Sequence, residues 1–112
     1  MSVDPQLVAE IKDQLEGDIL HFAWLAQIGR LQSPARTEDE CVHAVVESVI
    51  DLHSDGTIVV GNARETNGMV LVEPWPESNQ DLRDRMESAI AESDDRDRDF
   101  CFWIQLVKHF AR

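Results

Sequence analysis

The chain is short of positive charge. Its 112 residues carry 10 basic side chains against 22 acidic ones, a formal charge of -12 and a pI near 4.5. A phosphate backbone repels such a molecule and a cationic protein attracts it, so a basic protein is the expected partner and nucleic acid is not. Charge that serves solubility alone is the plain alternative. Cysteine is scarce as well: Cys41 lies on an apolar helical stripe and Cys101 in an aromatic run, sixty residues apart. That reads as two buried free thiols in a cytoplasmic protein and excludes a disulfide framework. There is no apolar run of about eighteen residues and no basic start leading into an apolar stretch. Neither a membrane span nor an export signal is expected.

Catalytic spacings are missing too. His21, His43, His53 and His109 share no ligand spacing, Ser48 and Ser54 stand outside any Gly-x-Ser-x-Gly elbow, and Gly61 with Gly68 makes no phosphate-cradling loop ahead of a helix. The mixed-charge run Ser93 to Asp99 lacks the glycine turn and distal carboxylate of a calcium loop and reads as a solvated loop. The expectation is therefore no enzyme, no cofactor and no metal, in a single domain spanning 1–112.

What is present is organised around Thr37 to Trp75. Thr37 precedes Glu40 at capping-box spacing, and Cys41, Val42, Val45, Val46, Val49, Ile50 and Leu52 follow at steps of three and four. This predicts a helix with one broad apolar face, ended by the Ser54-Asp55-Gly56 turn. Thr57 to Val60 and Met69 to Val72 then read as two strands joined by a loose polar link, Gly61 to Gly68, with Pro74-Trp75-Pro76 closing the second. Helix plus hairpin is the pattern of a winged-helix-type domain.

Around that stretch, Asp4-Pro5 opens an N-terminal helical region. Two helices, 5–16 and 18–31 with a fresh cap at Gly17-Asp18, or a single kinked helix, both fit the spacing of Leu7, Ile11, Leu15, Phe22, Leu25 and Ile28. Glu77-Ser78-Asn79 opens a further amphipathic helix, 77–92, that carries Leu82, Met86 and Ile90. The segment 100–107 suits a helix by periodicity and a buried strand by its aromatic and β-branched content. Strand is the choice, because a two-stranded hairpin alone is marginal and a third strand would complete the sheet. The expected fold class is α+β and winged-helix-like, with a small antiparallel sheet.

The polar face of the central helix holds Glu38, Asp39, Glu40, His43, Glu47 and Asp51, and no Lys or Arg occurs from Thr37 to His53. In a DNA-binding winged helix this helix would meet base edges, and carboxylates there oppose phosphate contact. These six residues are instead the candidate docking face for a basic partner, with Glu47 and Asp51 expected at the surface. The runs Val49 to Asn62, Val72 to Ser78 and Asp99 to Trp103, spread over about the last two thirds of the chain, resemble a group of small acidic actinobacterial proteins with the same order of elements. Some proteins of that kind are similar to immunity proteins, which block a toxin domain. The resemblance implies an immunity or antitoxin-type inhibitor that docks on a basic toxin such as a nuclease. A winged-helix transcriptional regulator and a dimerisation module are the alternatives.

Overall fold

A computed structural model describes residues 4–110. At its start the Asp4 carboxylate accepts the amides of Gln6 and Leu7, and Pro5 fills the first helical position, so α1 (Pro5–Leu15) opens where the sequence places it. Leu7, Ile11 and Leu15 form its wholly buried stripe.

The next turn of chain departs from expectation. No helix begins at residue 18 and α1 does not continue through a kink. Leu20–His21 is a short strand, β1, and α2 (Phe22–Gln32) starts after it, with His21 Nδ1 accepting the Trp24 amide as its cap. The cause lies far along the chain: Phe22 and Ala23 donate their amides to the carbonyls of Phe102 and Asp99, and β1 pairs with a strand near the C-terminus.

The central helix α3 (Glu38–Ser54) has both halves of the capping box, with Thr37 Oγ accepting the Glu40 amide and the Glu40 carboxylate accepting the Thr37 amide. Cys41, Val45, Val46, Val49, Ile50 and Leu52 are buried along its inner face. Gly56, at φ 76°, makes the left-handed exit.

The hairpin is longer and tighter than the sequence reading. β2 (Ile58–Thr66) and β3 (Met69–Pro74) pair along six residues, and the tip is only Asn67-Gly68, with φ 53° and 79°. Two consecutive positive φ angles define the primed turn that suits strand twist, so the expected eight-residue loose link is corrected to a two-residue one. The polar run from Asn62 to Thr66 is strand, exposed on the outer arm of the hairpin.

Beyond it, α4 (Asn79–Glu92) buries Leu82, Met86 and Ile90 but begins two residues later than expected, and Ser78 makes no side-chain cap. The mixed-charge run is not wholly loop, since Asp95–Arg98 forms a helical turn, α5. β4 (Trp103–Leu106) is a strand, shorter than 100–107, and Val107–Phe110 turns into a last helical turn, α6. The His109 side chain lies outside the described residues.

All four strands run antiparallel in the order β1-β4-β2-β3. The C-terminal strand is therefore central, which explains its density of apolar residues. Ile104 and Leu106 turn with Leu20, Ile58 and Val60 toward the helices, and Trp103 and Gln105 alternate onto the other face. The fold is α+β, four helices of eleven residues or more against a small open sheet.

Candidate functional site

The six carboxylate-face residues do not form one surface. Glu38 and Asp39 are exposed in the first turn of α3, and His43 is exposed one turn on, beside a shallow depression shared with Arg36. Glu40 is exposed, but its carboxylate is spent on the capping box, and the Thr37 amide holds it below the ordinary range for glutamate. Asp51 is exposed at the far end of the helix.

Glu47 is a correction. The sequence places it at the surface, whereas α4 packs across the middle of α3 and buries it, with Arg83 Nη2 at 2.8 Å from its carboxylate. A helix carries no local signal that another helix will cover its polar face, so the periodicity of α3 alone could not reveal this.

A second feature of the surface was not read from the sequence. A cleft of about 570 Å³ opens between the two edges of the sheet: Ile19, Leu20 and His21 of the β1 edge line one side and Val70 of β3 the other. Trp24 and Trp103 wall it, with Gln14, Asp18 and His21 as its polar side chains, and no Lys or Arg is among the lining residues. Its size falls within the usual range for ligand sites, about 300–1,000 Å³.

The sheet makes this cleft by curling. Gly61 pairs with Trp103 on one side and Pro74 on the other, and a Cβ at Gly61 would stand 1.8 Å from the Glu73 carbonyl oxygen, so only glycine allows the strands this close. Past Gly61 the hairpin leans over the outer face of β4, where Gln105 Oε1 accepts the Val72 amide at 3.1 Å and both residues are buried.

The aromatic walls are held in place. Trp24 is 45% exposed, and its Nε1 donates to the Gln14 side-chain oxygen, which fixes the ring against α1. Trp103 meets His21 edge-on at 5.1 Å between ring centroids and stacks with Phe100 at 5.9 Å. The sequence signal for this site is weak: Trp24 is a large aromatic that falls off the apolar stripe of Phe22, Leu25 and Ile28.

Among the described residues no group of three or more His, Cys, Asp or Glu side chains could hold a metal ion, and no helix is long and apolar enough to cross a membrane. Comparison with protein-family models, curated proteins and solved structures finds no match to this chain. The structure thus defines a small α+β domain with a free acidic helix start and an aromatic cleft.

Proposed function

We propose that the chain is a small acidic binding protein of the immunity or antitoxin kind, which docks on a basic protein domain such as a nuclease and neutralises it. It uses a winged-helix-like arrangement of α3 and the hairpin as scaffold, not as a DNA reader. The observation that carries this reading is the uncompensated charge. Five basic side chains, Arg36, Arg64, Arg83, Arg85 and Lys108, are each already paired with a carboxylate. Even complete internal pairing would leave a formal charge of -12.

Such a field steers a cationic partner and raises its association rate, and the exposed carboxylates can then compete with phosphate for the partner's basic cleft. Docking centres on the exposed start of α3, at Glu38, Asp39 and His43 with Glu40 at the margin, and Asp51 adds a separate exposed carboxylate at the far end of the helix. Glu47 is no longer a contact residue.

A regulator reading gains nothing from the fold, because α3 presents carboxylates and no Lys or Arg. A dimerisation module draws on one observation, the exposure of Leu31, Met69 and Phe100. Sedimentation equilibrium separates it from a monomeric inhibitor.

The decisive experiment is surface-plasmon kinetics against the product of the adjacent gene, using wild type and the Asp39→Lys/Asp51→Lys variant. Association should slow about tenfold in the variant and in raised salt, as expected for steering charges. Binding indifferent to both the substitutions and salt would refute the reading.

A further inference from the structure

We infer that the cleft between β1 and β3 is a peptide-binding site for an extended cationic segment of a protein, which adds to the free edge of β3 and lays an arginine or lysine side chain between Trp24 and Trp103. The sign of the partner's charge rests on the reading proposed above.

The pleat of β3 supplies the backbone half of the site. In an antiparallel pair, alternate residues turn their amide and carbonyl toward the neighbouring strand or away from it. The Val72 amide is bonded to Gln105 and not to β2, while the Trp75 amide donates to the Val60 carbonyl, so the residues paired across β2 and β3 as Glu65 with Val70 and Ala63 with Val72 are the ones whose β3 amides point outward. Gln105 occupies the edge at Val72, and Pro74 has no amide to offer. Val70 is left as the position where an incoming strand finds a donor and an acceptor, and Val70 is the β3 residue that lines the cleft.

The opposite wall also belongs to an edge strand. Among the described residues β1 pairs with β4 alone, which leaves its outer backbone edge without a strand partner. A gap bounded by two sheet edges accepts an extended chain better than a helix, because main-chain hydrogen bonds give affinity while alternate side chains enter pockets.

Charge and ring chemistry choose the side chain. Two indoles attract a cation over their faces. Asp18 is a carboxylate within the cleft, and Glu65, exposed and directly opposite Val70 in register, adds a second on the same face of the hairpin. No Lys or Arg lines the cleft to oppose the ligand, His21 being the one imidazole on its wall, and the whole chain is strongly acidic.

The test uses three acetylated, amidated hexapeptides: Thr-Val-Arg-Val-Arg-Thr, its glutamate counterpart, and the arginine peptide with alternate backbone nitrogens methylated. Tryptophan fluorescence reports affinity, and amide chemical shifts report position. The arginine peptide should bind at least about tenfold more tightly than the glutamate one, move the Val70 amide, and lose that shift on methylation. Trp24→Ala and Asp18→Asn should each weaken it about fivefold, whereas Asp39→Lys/Asp51→Lys should leave it within about twofold. Trp24 is half exposed, so its replacement tests binding without emptying the core, and Asp18→Asn keeps the oxygen that accepts the Ile19 amide.

Equal binding of the arginine and glutamate peptides would overturn the inference. So would shifts centred on Asp39 and His43, self-association through the cleft on concentration, or free arginine amide binding as well as the peptide. The two proposals can fail separately. If the adjacent gene product responds to Asp39→Lys/Asp51→Lys but not to Trp24→Ala, and the arginine peptide shows no preference, the charged-face reading stands and the cleft assignment falls. If the arginine peptide binds as described while the gene product does not bind at all, the cleft assignment stands and the inhibitor reading falls.

Discussion

Arg83 of α4 reaches across to α3 and closes a 2.8 Å ion pair on Glu47, whose side chain is only 9% exposed. The pair converts a carboxylate on a helix face into an internal tie between two helices. Removing one partner from a buried pair leaves an uncompensated charge, which costs about 3–5 kcal/mol. Arg83→Leu should therefore destabilise the protein by about 3 kcal/mol, given that the arginine is partly exposed, and Arg83→Leu/Glu47→Leu should recover much of the loss. Urea unfolding of the two singles and the double measures the coupling directly, and additivity within error would show that the pair contributes nothing.

Gly61 should tolerate no side chain. The Cβ of an alanine there would sit 1.8 Å from the Glu73 oxygen, a backbone atom that cannot move without parting β2 from β3. Gly61→Ala is expected to cost about 3 kcal/mol or more, in the range reserved for disrupted cores and strained backbones. A melting curve within a few degrees of wild type would mean that the strands do not approach as described.

Gln105 should act as the clasp of the hairpin. Gln105→Leu keeps the volume but leaves the buried Val72 amide without its acceptor, at a cost of about 1–3 kcal/mol. Hydrogen exchange at Val72 should accelerate in that variant more than exchange at Val60. A uniform change across the sheet would assign the loss to packing instead.

Stability should decline as pH falls, by two separable routes. The Arg36 guanidinium beside Asp4 and the Arg85 guanidinium beside Glu77 hold those carboxyls below their ordinary values of 3.8 and 4.5. The unfolded chain then takes up protons first, so their contribution is complete above those ordinary values and is lost as pH drops through the lowered ones. Burial likewise pulls His53 below 6.5, so the unfolded state gains its proton first and stability begins to fall under that pH. Lower pH also relaxes the general repulsion among carboxylates, so variants isolate each route. The gap in Tm between wild type and Asp4→Asn should close in acid, and His53→Gln should flatten the decline that starts near 6.5. Parallel curves for wild type and each variant would remove both groups from the account.

Several elements could be read directly from residues close together in the chain. The reciprocal cap of Thr37 and Glu40, the stripes of α1, α3 and α4, and the exit at Gly56 are local devices, decided by hydrogen bonds and spacings within a few residues. Asn67-Gly68 was equally local and marked the true hairpin tip, but the polar residues before it masked the strand, since an arm exposed on both faces has no apolar alternation to detect.

The rest belongs to contacts between distant segments. β1 exists because Leu20 and His21 pair with Ile104 and Trp103, more than eighty residues away, and two residues carry no strand signal of their own. Glu47 leaves the surface only because α4 crosses α3 and brings Arg83 to it. The cleft joins Trp24, Val70 and Trp103 from three elements that no spacing relates. The sequence alone determined the charge, the caps and the apolar faces, each a property of a residue and its near neighbours. Tertiary structure decided which carboxylates remain free and where the aromatic walls meet, because burial and cross-strand pairing are set by whatever packs opposite.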